Sequence, residues 1–472
     1  MTTTKTKRQK RRISMRLVWL VVAIVAFFVP LVFEFDGLSP AGHRMFSIFL
    51  IAIVLWVAEP IPLFGTAALI ILLEVLMISD KAIADLPVDF TPRAFRDYYA
   101  ALADPVLLLV LGGFFLAMGS SHFRLDRAMG RLLLVRFGNE PSKIMLGLMI
   151  ITGAFSMFMS NTAVTATMMA VVIPVVAALP SHDRIRVGMV LAIPFAANVG
   201  GMGTPVGTPP NAIAIGQLAG SGISISFGKW MLLALPGAII LLLITWWLLR
   251  IMFPTDTKEI ELKIEGEFDR SRDARIFYAV FLVTVALWLT ESFHGIPSSI
   301  VGFVPVVALL TTGVLSEKDL QAVQWHVLWL IAGGIALGRG IVDSGLDEWV
   351  VGLISWESLG ATLIIGTFAA VTLALSTVMS NSASANLLVP LGVSLAMSGT
   401  VDVDPMIVGF TISMAASLAM ALPISTPTNA VAYSSGLIKT ADMAKTGVIV
   451  GVIGVLLFVF AMPLFWSALG IA

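Results

Sequence analysis

Two short polar stretches, Ser160-Asn161-Thr162-Ala163 and Ser380-Asn381-Ser382-Ala383, each sit in the middle of a long apolar run that carries no charge. Hydroxyls and amides at membrane depth are costly, and they mark substrate and ion pathways. A sodium ion needs about five or six hard oxygens, which hydroxyls, amide oxygens and carbonyls freed at a helix break can supply. Ser156 and Ser160, one helical turn apart, place two hydroxyls on one face toward Asn161, and the break at Gly207-Thr208 adds carbonyls. Ser376, Ser380, Asn381 and the break at Ser425-Thr426 repeat that set. The two stretches read as two halves of one ion and substrate site.

An anion needs donors instead. Helix N-termini at a hairpin tip offer backbone N–H groups and a favourable dipole. The amides of Asn161 and Asn381 and the hydroxyls of Thr162, Ser382, Thr208 and Thr426 add to them. Neither the polar stretches nor the breaks contain Lys, Arg or His, so a dianion held there takes its charge compensation from bound cations.

The elements that must position these groups follow from composition. With 58% hydrophobic and 12% charged residues over 472 positions and a mean hydropathy of +0.96, the chain is too apolar for a soluble globule. It reads as an all-helical polytopic membrane protein with roughly eleven spanning helices and shorter re-entrant ones. The net charge of zero implies no nucleic-acid partner, and the absence of cysteine excludes disulfides and thiol chemistry. The five histidines are scattered, so no zinc-type site and no cofactor is expected. The basic residues before Leu17 precede a retained first helix with a cytoplasmic N-terminus.

Along the chain, a basic N-terminus and first span occupy 1–36 and a first repeat 37–254. Within that repeat, about 141–180 carries the first polar stretch at the centre of two arms slightly short of a full span, which fits a re-entrant hairpin better than two crossings. Charge counting does not separate the two, because both return the chain to one side. A helix over about 187–220 is broken by Gly200-Gly201-Met202-Gly203-Thr204-Pro205-Val206-Gly207-Thr208-Pro209-Pro210-Asn211. A charged cytoplasmic linker over 255–275 leads to a second repeat, 276–472, with a hairpin at about 358–398 and a broken helix at about 405–438.

The second half copies the first. Trp288, Glu291 and Ile296-Pro297 echo Trp56, Glu59 and Ile61-Pro62, and Gly333-Gly334 and Leu346-Asp347 echo Gly112-Gly113 and Leu125-Asp126. Thr426-Pro427-Thr428-Asn429 echoes Thr208-Pro209-Pro210-Asn211, most of these pairs standing about 220 residues apart, which is an internal duplication. The loop before the first hairpin is basic (Arg124, Arg127, Arg131, Arg136), whereas its counterpart carries Asp343, Asp347, Glu348 and Glu357. The copies are therefore inverted. The first hairpin enters from the cytoplasm and the second from outside, and the C-terminus is external in the plasma (inner) membrane.

Plainer readings exist for each feature. An isolated Ser-Asn in a membrane helix often bonds only to a carbonyl, but the duplication with a matching break argues against that here. The glycine-rich break lacks the Gly-Lys-Ser/Thr ending of a phosphate loop. Gly112-Gly113 reads as close helix packing, and Glu59 and Glu291, beside Pro turns, read as structural residues with proton carriage as the alternative. A channel does not need two dead-end hairpins, and no nucleophile–base pair points to an enzyme.

Paired Ser-Asn-Thr-type motifs, each followed by a break with Thr-Pro, resemble the divalent anion/sodium symporter (DASS) family of sodium-coupled dicarboxylate and citrate carriers. The resemblance runs from Trp56 to the C-terminus. It implies eleven spans, two re-entrant hairpins, and a homodimer in a lipid bilayer whose scaffold and transport domains move as an elevator. By position, Ser156, Ser160, Asn161 and the Gly207 carbonyl would form one sodium site, and Ser376, the Met379 carbonyl, Asn381 and Ser425 the other. A small dicarboxylate would contact Ser160, Asn161, Thr162, Thr208, Ser380, Asn381, Ser382 and Thr426, with Pro427 packing on it. The second motif departs from the family by reading Ser-Asn-Ser, which bears on the choice of substrate. Uptake of succinate, malate or fumarate with sodium is the implied activity; a dicarboxylate exchanger or a citrate or sulfate carrier on the same fold is the alternative.

Overall fold

Proline and glycine set the helix boundaries. The computed structural model describes residues 2–88, 90–260, 267–354, 356–468 and 470, with the side chains of all but residues 2–14, 126, 127, 131–133, 135 and 357. The charged linker expected over 255–275 thus lies outside the described residues at 261–266, as do the side chains of the basic N-terminus, Asp126, Arg127, Arg131 and Glu357. Helices account for all the regular structure among the described residues, with no strand.

Among the described residues seven helices are long and apolar enough to cross a membrane: Met15–Val32, Pro40–Ala58, Phe95–His122, Phe227–Met252, Trp325–Asp343, Ala361–Val378 and Thr440–Ala468. Shorter apolar helices of 10–17 residues stand beside them, including Leu63–Met77 and Ser298–Thr311. The mixed polar stretch over 80–104 contains the short helix Phe95–Tyr99 and a 3-10 turn, Ala100–Ala103. These form because the acidic loop is anchored: Phe95 N–H donates to Asp80, and Asp104 caps the following helix at Val106 N–H.

Each repeat contributes a helical hairpin and a helix in two halves. The first hairpin has arms Pro141–Ser156 and Asn161–Ala177, the second Ala361–Val378 and Asn381–Met397. The first broken helix comprises Ile185–Gly201 and Pro209–Gly220, the second Pro405–Ser417 and Pro427–Ser434. Proline opens the second half of both, where its missing N–H costs nothing. Trp56 and Trp288 make the same indole bond across the Pro turn, to the Leu63 carbonyl at 3.3 Å and the Ser298 carbonyl at 3.0 Å.

The halves interlock. Each hairpin packs on the first half of its own broken helix, whereas Pro209–Gly220 packs on Asn381–Met397 and Pro405–Ser417, and Pro427–Ser434 packs on Asn161–Ala177 and Ile185–Gly201. The Gly-Gly pairs serve close packing, as their composition implies. A Cβ on Gly112 would sit 1.9 Å from the Gly302 carbonyl, and one on Gly333 would sit 2.4 Å from Ala67 Cβ.

Candidate functional site

The first hairpin turns because its outgoing helix stops at Ser156 and Ser160 adopts an extended conformation (φ −56°, ψ 126°) before Asn161 opens the return arm. The helical turn expected to align Ser156 with Ser160 is therefore absent, and only Ser156 reaches Asn161. Its hydroxyl donates to Asn161 Oδ1 at 2.5 Å, tying one arm to the other. The break loop is pinned to this tip by Thr204, whose hydroxyl donates to the Met157 carbonyl.

Gly207 completes the first cluster. A Cβ there would lie 2.4 Å from the Gly201 carbonyl oxygen and 2.9 Å from that of Ser156, and a Cβ on Gly201 would lie 2.6 Å from Asn161 Oδ1. The Gly201 and Ser156 carbonyls thus crowd against Gly207, while Asn161 Oδ1, which accepts from the Ser156 hydroxyl, crowds against Gly201. All are neutral hard oxygens, the donor type that suits a desolvated alkali cation. Among the described residues no cluster of three or more His, Cys, Asp or Glu could hold a metal.

The second cluster is built alike with different ties. Ser376 Oγ lies 2.9 Å from Asn381 Oδ1 and 2.8 Å from the Ala416 carbonyl. Met379 is buried and extended (φ −128°, ψ 179°), which lets its carbonyl leave the helix. Ser425 donates to the Thr377 carbonyl at 2.7 Å, pinning the second break to the second tip.

Ser160, Asn161, Thr162, Ser380, Asn381 and Ser382 are half-buried at the tips, Thr208 and Thr426 are buried N-caps, and Pro427 is exposed. The hydroxyls of Ser380 and Thr426 accept from the N–H groups of Ala383 and Asn429, each at 3.2 Å, whereas Ser160 and Thr208 make no such cap. A cavity of about 380 Å³ opens at Ser160 and Ala163 toward His122, Asp319 and Gln324. The two tips share no hydrogen bond among the described residues. The repeats join instead through buried side chains: Thr428 donates to Asn198 Oδ1 at 3.1 Å, and Ser413 donates to Asn211 Oδ1 at 2.9 Å.

Three groups of residues escaped the sequence reading. Asn211 and Asn429 face their own loops; the signal was their shared place three residues after Thr208 and Thr426. Gln217 donates to the Gly334 carbonyl at 2.6 Å and Asn386 to the Leu330 carbonyl at 3.1 Å, both reaching the helix Trp325–Asp343. Glu74 is an acid within an apolar helix, fully buried beside Gly340 with neither oxygen hydrogen-bonded. Glu291 accepts from Ser298 (2.5 Å) and from Phe227 N–H (3.3 Å), and Glu59 ends its helix in the left-handed region (φ 47°).

The family model for the sodium:sulfate symporter transmembrane region matches residues 10–472. A protein of Staphylococcus saprophyticus named sodium-dependent dicarboxylate transporter SdcS is 29% identical, over 95% of this chain and 91% of its own length. One of the same name from Staphylococcus aureus strain USA300 is 29% identical, over 98% of this chain and 94% of its own. Among solved structures, the Alcanivorax borkumensis YdaH transporter superposes with a TM-score of 0.56 at 13% identity, covering 86% of this chain and 98% of that one. Neisseria gonorrhoeae MtrF does so with 0.54 at 13%, covering 93% and 96%. At such identity the two structures speak for the fold alone.

Proposed function

We propose that this chain, which belongs to the sodium:sulfate symporter (DASS) family of transporters, couples inward sodium flux to uptake of four-carbon dicarboxylates such as succinate, malate and fumarate. The observation that carries the reading is the pair of oxygen clusters, Ser156–Asn161–Gly207 and Ser376–Asn381–Ser425, built without a charged side chain. Ser156, Ser160, Asn161 and the Gly207 carbonyl hold one sodium ion; Ser376, the Met379 carbonyl, Asn381 and Ser425 hold the second. The substrate carboxylates take donors from Ser160, Asn161, Thr162, Thr208, Ser380, Asn381, Ser382 and Thr426. Bound sodium supplies the charge that this neutral cradle lacks, so ion and anion bind together. The names of the staphylococcal relatives support the same coupling and substrate class.

In this reading the hairpins are re-entrant, so Ala361–Val378 is not a span, and the repeats are inverted; the other six long helices, Leu63–Met77, Arg272–Leu289, Ser298–Thr311 and the two broken helices bring the spans to eleven. The hairpins and broken helices form a transport domain that moves as an elevator past a scaffold, in a homodimer with a cytoplasmic N-terminus. Gln217 and Asn386 then bridge the moving part to the scaffold helix Trp325–Asp343, and the cavity beside His122 is the cytoplasmic exit.

Uptake of labelled succinate into proteoliposomes under sodium and choline gradients tests the coupling; equal uptake in the two would refute it. Asn161→Ala and Asn381→Ala should each abolish uptake in folded protein. The family description names sulfate, so sulfate is the rival substrate, and competition by excess sulfate or citrate decides between them. Efflux that requires external dicarboxylate would instead establish exchange.

A further inference from the structure

We propose that Asn211 and Asn429 are the positioning residues of the two cation sites: each spends its amide hydrogens on the carbonyls of its own break loop and so sets the affinity for sodium. This rests on the sodium-coupled reading above. Asn211 Nδ2 donates to the carbonyls of Thr204 at 2.7 Å and Gly201 at 3.0 Å, with that of Met202 at 3.4 Å. Asn429 Nδ2 donates to the carbonyls of Met420 at 2.9 Å and Leu422 at 3.0 Å. Asn429, Met420 and Leu422 are the second-repeat counterparts of Asn211, Met202 and Thr204, so the same staple was kept in both copies.

An amide carries two hydrogens, and each finds an acceptor here. Those acceptors are carbonyls that a helix leaves free where it breaks. Both asparagines are fully buried, so an apolar residue in either place would strand at least two carbonyls away from water.

The staple acts on the ion cluster through the loop. In the first repeat the Gly201 carbonyl that Asn211 holds is the one pressed against Gly207, next to Asn161. Thr204 is held twice: its carbonyl by Asn211, and its side chain by the Met157 carbonyl of the tip. The loop is therefore clamped between the hairpin tip and the second half-helix. In the second repeat Ser425 supplies the tie to the tip and Asn429 the tie to the half-helix. Ser413 fixes which end of the Asn211 amide faces the loop by donating to Oδ1, from the other repeat. Loss of an amide leaves the loop with one tie, and its oxygens relax from the positions an ion requires.

The test uses Asn211→Asp and Asn429→Asp, which keep size and leave at most the one O–H donor of a buried carboxyl, and Ser413→Ala, which only frees the Asn211 amide. In proteoliposomes, the sodium concentration for half-maximal succinate uptake should rise about ten-fold for each Asp variant, the equivalent of one lost hydrogen bond with a carbonyl left facing an oxygen lone pair, and about three-fold for Ser413→Ala. Half-saturation by succinate at saturating sodium should change less than about two-fold, a split that a purely structural role would not produce. Sodium dependence equal to wild type in Ser413→Ala and in whichever Asp variants fold, with uptake lost only in proportion to folded protein, would overturn the assignment. Wild-type uptake that ignores sodium would instead refute the sodium-coupled reading itself.

Discussion

The crowding at Gly207 makes the first cation site the sharpest place to challenge the proposed mechanism. In Gly207→Ala the new methyl would fall 2.4 Å from the Gly201 carbonyl oxygen and 2.9 Å from that of Ser156. Ordinary contact begins near 3.4 Å, so about 1 Å of movement is needed, and the atoms that must move are backbone. Overpacking of this kind costs about 1–3 kcal/mol. If about 2 kcal/mol of it falls on the ion-bound state, apparent sodium affinity drops about thirty-fold. The paired control is Gly366→Ala, where the nearest neighbour to the added methyl is Val459 Cγ1 at an unstrained 3.6 Å. That residue lies within the helix Ala361–Val378, where alanine is the better helix former, so folding should be unharmed. Both variants would be assayed for the sodium dependence of succinate uptake and for the sodium-induced rise in melting temperature in detergent. A Gly207→Ala protein whose sodium dependence matches that of Gly366→Ala would show that no ion sits between Ser156, Asn161 and Gly207.

Ser382→Thr restores one methyl to the second tip; filling or crowding the pocket should change the succinate-to-citrate preference about three- to ten-fold, read from competition in uptake, and an unchanged ratio would place residue 382 outside the substrate pocket. Ser380→Ala removes an N-cap and should lower stability by about 1 kcal/mol along with uptake, while Ser160→Ala, which removes no cap, should lower uptake with the melting temperature intact. Burial, outweighing the hydrogen bond from Ser394, raises the Asp347 carboxyl above the ordinary carboxylate range. The unfolded chain therefore loses that proton first, and stability present below about pH 4 should fall as pH climbs through the raised value. Asp347→Asn should abolish that part of the slope, and a pH-independent difference in melting temperature between the two proteins would contradict it.

The paired helical arms and the helix breaks were legible because proline, glycine and polar residues inside apolar runs leave few alternatives. The duplication made their pairing plain, and even the Trp56 and Trp288 turns proved alike. What escaped was of two kinds. The helix expected to run on to Ser160 stops at Ser156, because the bond between Ser156 and Asn161 closes the turn, and nothing in helical spacing announces such a bond. The partners of Gln217, Asn386 and Asn198 lie 117, 56 and 230 residues away, distances over which sequence pattern carries no information. Glu74 was visible as a letter within an apolar run, yet only packing shows that it is fully buried.

The duplication also explains why the two clusters are similar without being interchangeable. In the first, the residue at the break is Gly207, and the tie to the tip comes from Thr204, so backbone oxygens close in on a position that no side chain can enter. In the second, Ser425 occupies the corresponding place and makes that tie itself. The caps differ in the same sense. At Ser380 and Thr426 the hydroxyl accepts a backbone N–H, which orients it, and Thr426 also bonds the Thr428 hydroxyl at 2.6 Å; Ser160 and Thr208 make no such cap bond. A pre-oriented donor loses less freedom on binding and tolerates less variation in the ligand. In the proposed mechanism the second half is thus the more selective wall of the cradle, and it is in that half that the Ser-Asn-Ser motif departs from Ser-Asn-Thr.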